Sequence, residues 1–262
     1  MSVTSDTAEV FDFGRVTAQV TGLISRNLVP FSILAVVLAG LPTFLVAVVT
    51  MVARPDPLAP PGVFSGAVLG LIIALIAILP LFLLQAALTR ASIDDLTGKP
   101  VSIPNAVQTG LQKLLPLLGL ALLVGLGVGV GMMLFIVPGL ILATCWIVAS
   151  PVLVVERAGV WQAMQRSLAL TRNHRWAMFG IIVLYFVASI VLGAIEGLVL
   201  TGSVGLSAMA ALQTPGIAFG LLNAVVQTGV MMISTVAVAA IYFELRRIKE
   251  GVGVTELASV FD

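Results

Sequence analysis

Residues 114–155 read LLPLLGLALLVGLGVGVGMMLFIVPGLILATCWIVASPVLVV, 42 consecutive residues between Lys113 and Glu156 without a formal charge. As continuous helix the stretch would extend about 63 Å at 1.5 Å per residue, against a hydrocarbon core about 30 Å thick. It is long enough for two crossings and a tight turn, and the turn is expected at Val137, Pro138 and Gly139. The second crossing is short, so a re-entrant pair of segments stands as the alternative.

The rest of the chain agrees with a membrane setting. Of 262 residues 60% are hydrophobic and only 10% charged, with a mean hydropathy of +1.16, whereas a soluble domain carries roughly 25% charged residues. Too few ionisable side chains remain to cover a soluble surface. A net charge of +1 excludes the basic field that phosphate binding requires, so no nucleic-acid partner is expected. The first ten residues hold Asp6 and Glu9 but no Lys or Arg, and no cleavable leader is expected. The single cysteine, Cys145, offers neither an intramolecular disulfide nor a cysteine-based metal site.

Hydrophobic runs predict spans at 28–53, 63–88, 115–136, 140–155, 176–200 and 216–243. Alternation of six spans puts twelve of the 13 Lys and Arg residues on one side: Arg15, Arg26, Arg90, Lys99, Lys113, the run from Arg157 to Arg175, and Arg246 to Lys249. Arg54 alone falls on the other. Cytoplasmic flanks are enriched in basic residues, so both termini are predicted in the cytoplasm of a bacterial-type inner (plasma) membrane. Gly62 and the uncharged 201–215 loop then face outward, while 91–113 and 245–262 face inward.

Each pair of spans is preceded by an amphipathic stretch. Phe13, Val16, Val20, Leu23 and Ile24 recur at helical spacing before span one. Val107, Leu111 and Leu114 do so before span three, behind the helix-start residues Ser102 and Pro104. Trp161, Met164, Leu168 and Thr171 do so before span five. The expected fold is an all-α integral membrane protein of six transmembrane helices in three hairpins, each preceded by a cytoplasmic amphipathic interfacial helix. The bundle is expected over 11–244 of a single domain, with tails at 1–10 and 245–262.

Catalytic groups are scarce. The intramembrane acids reduce to Glu196 and Glu244, and a carboxylate within a span needs protonation, a partner or water. Asn223 and Gln227, one turn apart, are predicted at the depth of Glu196. Two readings remain for that trio: a polar pocket, or a carboxylate kept wet by the outer headgroups. His174 lies in the basic cluster Arg172 to Arg175 and reads as part of a headgroup-facing patch. Asp94 and Asp95 precede Gly98 and Lys99 without the glycine spacing of a phosphate loop. Neither metal nor cofactor is expected. Glycines four apart (Gly62, Gly66 and Gly70; Gly125 and Gly129; Gly127 and Gly131; Gly193 and Gly197; Gly216 and Gly220) point to close helix packing.

The string Phe135-Ile136-Val137-Pro138-Gly139-Leu140, then Ser150-Pro151-Val152-Leu153-Val154-Val155-Glu156, then Ala163, Arg166-Ser167-Leu168, Leu170-Thr171-Arg172 and Trp176 resembles a bacterial membrane family. That family includes the membrane domain attached to some glycerophosphodiester phosphodiesterases and the YciC-like inner-membrane proteins. The likeness is best over 112–183. It implies a multi-span domain and no phosphodiesterase activity, because the family's catalysis resides in a separate soluble barrel for which these residues leave no room. Physically, Pro138 and Gly139 would reverse the chain, and Glu156 with Arg166 or Arg172 would staple span four to the next interfacial helix. The expected function is non-enzymatic organisation of membrane lipids, a protein partner or further copies of the chain. The alternative is small-solute or lipid transport through the pocket around Glu196.

Overall fold

The computed structural model describes residues 11–52, 63–156, 158–204 and 217–250. The predicted outer position of Gly62 and most of the 201–215 loop lie outside these residues, as do the 1–10 tail and 251–262. The described residues are helical apart from short connections, with no strand among them. It comprises α1 (Phe13–Arg26), α2 (Leu28–Ala35), a π-turn (Val36–Gly40), α3 (Leu41–Val52), α4 (Val63–Leu96) and α5 (Ile103–Leu134). There follow α6 (Ile136–Trp146), α7 (Ala149–Val155), α8 (Val160–Thr171), α9 (Arg175–Val204) and α10 (Ile217–Glu250).

Six stretches among the described residues are long and apolar enough to cross a membrane: Leu28–Val49, Val68–Leu96, Ile103–Leu134, Ile136–Val155, Arg175–Val199 and Gly220–Glu250. Their apolar side chains are widely exposed, with Leu184, Phe186, Ile190 and Leu198 on α9 and Leu122, Leu126 and Val130 on α5 standing open. A soluble monomer rarely exposes apolar patches beyond a few hundred Å². The protein is therefore an integral, multi-pass membrane protein.

Local chemistry explains the breaks. The Asp12 side chain caps α1, accepting from the Gly14 and Arg15 amides at 2.8 and 3.2 Å. The α4 helix ends in a turn where Gly98 has φ +73 and Lys99 N–H reaches the Asp94 carbonyl at 2.8 Å. That left-handed position favours glycine. Pro80 and Pro116 lie inside α4 and α5, where a missing N–H bends a helix without necessarily ending it.

Two sequence expectations are corrected. First, the stretch before span three is not a separate interfacial helix: α5 runs unbroken from Ile103 to Leu134, through Pro116. Second, the chain reverses at Phe135, whose extended backbone (φ −159, ψ 145) ends α5 and caps α6. Pro138 and Gly139 lie within the first turn of α6. A proline is accepted there because first-turn amides have no intrahelical carbonyl to bond. Helix α10 continues through Glu250, five residues past Leu245, where the C-terminal tail is expected to begin.

The fourth candidate span is two helices, α6 and α7, broken at Ile147 and Val148. It is also the most enclosed of the six. One core cluster joins Val148, Val152 and Leu153 to Ala163 and Leu170 of α8, Met178 of α9, and Ala239, Tyr242 and Leu245 of α10. A second joins Leu23, Phe31 and Leu34 to Leu84 and Leu88 of α4, Ala106 of α5 and Val236 of α10. Helix α10 belongs to both and ties the halves together. Helix α9 sits at the edge and packs mainly on α6.

Candidate functional site

Ionic side chains gather where α1, α4, α7, α8 and α10 meet. Glu156, just past α7, takes Arg166 Nε at 3.1 Å and accepts from the Tyr242 hydroxyl at 2.8 Å. Arg166 also pairs with Glu250, which Arg246 holds at 2.7 Å. Glu156 and Arg166 are thus brought together, while Arg172 is exposed just past the end of α8 and makes no ion pair among the described residues. Tyr242, Arg246 and Glu250 recur every fourth residue on α10, so one helix face supplies all three.

Next to this cluster, Glu244 is fully buried (0% exposed) between Arg15 Nε of α1 at 3.1 Å and Arg247 Nε at 3.6 Å. A third link binds Asp95 of α4 to Arg26 at 2.6 Å and to Asn27 Nδ2 at 2.9 Å, with Arg90 on Asp94 at 3.0 Å. The Phe11 ring lies tilted beside that of His174, with centroids 6.3 Å apart. Sequence reasoning missed Tyr242, Glu250, Arg15, Asp95 and the pairing of Glu244. The four-residue spacing along α10 was the available signal for the first two.

Away from this end, Asn223 Nδ2 of α10 lies 3.5 Å from Glu196 Oε2 of α9, at the outer limit of a hydrogen bond. Glu196 Oε1 is buried without a hydrogen-bond partner among the described residues. Gln227 is exposed and does not join the pair. The predicted trio is therefore a duo.

At the α5–α6 reversal the glycine faces separate. Gly131 approaches Gly139 so closely that an added Cβ would lie 2.9 Å from the Gly139 Cα, and Gly127 lies under the Trp146 ring. Gly125, Gly129 and Gly193 face open space. Between α6 and α9 runs a slot of about 410 Å³ lined by Val137, Leu140, Ile141, Thr144, Trp176 and Phe179, together with Arg175. A wider apolar groove of about 690 Å³ separates α3 from α4, between Val37, Leu41 and Phe44 on one side and Leu75, Ile76 and Pro80 on the other. Among the described residues no three His, Cys, Asp or Glu side chains converge on a common point for a metal.

A family model described as the membrane domain of glycerophosphoryl diester phosphodiesterase matches residues 118–252. No curated protein and no solved structure matches the chain. The matched region extends well past residue 183, where the sequence likeness given above ends, and it takes in the hairpin at Phe135, the slot, Glu156 with Arg166, and Tyr242 through Glu250. It spans just over half of the 262 residues, and on that match the chain belongs to the family of the glycerophosphoryl diester phosphodiesterase membrane domain.

Proposed function

We propose that the protein is a non-enzymatic lipid-organising bundle of a bacterial-type inner membrane, and that the α6–α9 slot seats an anionic phospholipid. The observation that carries this reading is the slot's lining. Its wall is apolar apart from Thr144 and a single cation, Arg175, which lies three residues from Arg172. Trp176, 85% exposed beside them, is the amphipathic ring type that favours the headgroup level. Each basic residue near an anionic leaflet contributes roughly 1 kcal/mol, so the double variant Arg172→Gln/Arg175→Gln is expected to lower retained anionic lipid by about tenfold or more. Lipid mass spectrometry of protein purified in mild detergent reads this out. Unchanged anionic lipid in the double variant would remove the reading.

The same placement requires both termini in the cytoplasm. A cysteine at position 95, in a Cys145-free background, is expected to resist a membrane-impermeant reagent applied to intact cells and to react after the membrane is opened. Labelling from outside would invert the orientation and put Arg172 and Arg175 at the wrong leaflet.

A second reading, transport of a small solute or lipid, draws on the buried, unbonded Glu196 Oε1 beside Asn223. Under it Glu196→Gln alters pH-dependent flux in reconstituted vesicles. Under the first reading the substitution changes detergent stability and little else.

A further inference from the structure

Between α4, α7 and α10 lies a cavity of about 160 Å³ whose polar lining is Gln85, Thr89, Ser150, Ser234 and Thr235. The remainder of its wall is apolar. Gln85 Nε2 donates to Ser150 Oγ at 3.1 Å, and Ser234 is bonded to the Met231 carbonyl at 3.1 Å. Thr89 and Thr235 are 2% and 7% exposed, and among the described residues their hydroxyls take no protein partner. Neither hydroxyl oxygen is among the fully enclosed unpartnered atoms of the described residues, so each keeps surface open toward the cavity it lines, where an occupant can bond to it. Thr89 lies seven residues before Leu96, the end of α4, or about 10 Å along the helix. The cavity thus sits within the apolar part of the bundle, below the ionic cluster.

We infer that this cavity is a binding site for a small uncharged hydroxylated solute. No Asp, Glu, Lys, Arg or His lines it, so an ion entering it would meet only neutral dipoles in an apolar bundle. Each hydroxyl both donates and accepts, as does the Gln85 carboxamide as a whole, and a polyol offers the same dual capacity in return. The volume equals about five waters at roughly 30 Å³ each, enough for a solute of a few carbons and too small for a disaccharide. This site is separate from the lipid slot and does not depend on it.

The test is saturation-transfer NMR on the full chain in nanodiscs, with erythritol as probe and sucrose as the oversized control. Erythritol is expected to give a signal and sucrose none. Thr89→Val/Thr235→Val keeps the shape while removing both unpartnered hydroxyls. It is expected to cut apparent erythritol affinity about tenfold while leaving the melting temperature level or higher. Ser234→Leu, which occupies the space and spares both threonines, is expected to abolish the signal and serves if the double variant folds poorly. Equal erythritol signals in wild type and variants, or occupation by water alone, would overturn the assignment.

Discussion

Gly139→Ala is expected to destabilise the protein by about 3 kcal/mol, at the upper end of the usual cost of overpacking, while Gly129→Ala leaves stability level or slightly higher. The two glycines belong to the same hairpin, and the difference lies in what a methyl group would meet. At Gly139 an added Cβ would come 2.2 Å from Met132 Cγ and 2.7 Å from the Met132 backbone nitrogen. The side-chain atom can move, but the backbone nitrogen belongs to α5 and cannot yield without separating the helices. At Gly129 nothing lies within 4 Å, and alanine favours helix over glycine by up to about 1 kcal/mol. Detergent-induced unfolding followed by circular dichroism measures both. Matching midpoints for the two variants would mean that the close approach of Gly131 and Gly139 does not hold the hairpin shut.

That pair of glycines also shows where sequence reading stops. The spans were legible because hydropathy accumulates over some twenty residues and tolerates local error. The start of α5 at Ile103 was legible in Ser102 and Pro104, although the Ser102 side chain makes no capping bond. The turn was misplaced by three residues because proline and glycine mark both turns and first helical turns, while the actual break at Phe135 carries no residue signature. The separate helix expected before span three fused with it, since no residue between Leu111 and Pro116 stops a helix outright. Gly125 and Gly129 are indistinguishable from Gly127 and Gly131 in sequence, and only the Trp146 ring and Gly139 decide which face packs. The ionic end was half legible. Basic residues sort to one side by counting, but Tyr242 lies 86 positions from Glu156, and Glu244 meets Arg15 across nearly the whole chain. Such pairings follow from the packing of α1 and α7 on α10, which no local pattern encodes.

The Glu244 pairing leads to the second large effect. Glu244→Ala is expected to cost about 3 kcal/mol, the lower end for removing one partner of a buried ion pair, because the arginines it leaves behind are only partly buried and can regain water. Arg15→Ala should cost less, since Arg247 still stands 3.6 Å from the carboxylate. Glu250→Ala breaks more solvated pairs, with Glu250 26% exposed and Arg246 34% exposed, and its expected cost is at most about 1 kcal/mol. The order Glu244 above Arg15 above Glu250 therefore follows the burial of the carboxylate in each pair, 0% exposed at Glu244 against 26% at Glu250, rather than the number of charges removed. A structural consequence accompanies it. Arg15 lies on α1 beside the buried Val16, and the Arg15–Glu244 pair is an ionic link holding α1 against α10. Val16→Cys, in a Cys145-free background, should be protected from a thiol reagent in the otherwise native protein and become reactive when Glu244→Ala is added. If the cysteine stays protected and the unfolding midpoint does not move, the apolar face of α1 alone holds it in place, and the buried carboxylate has no part in docking it.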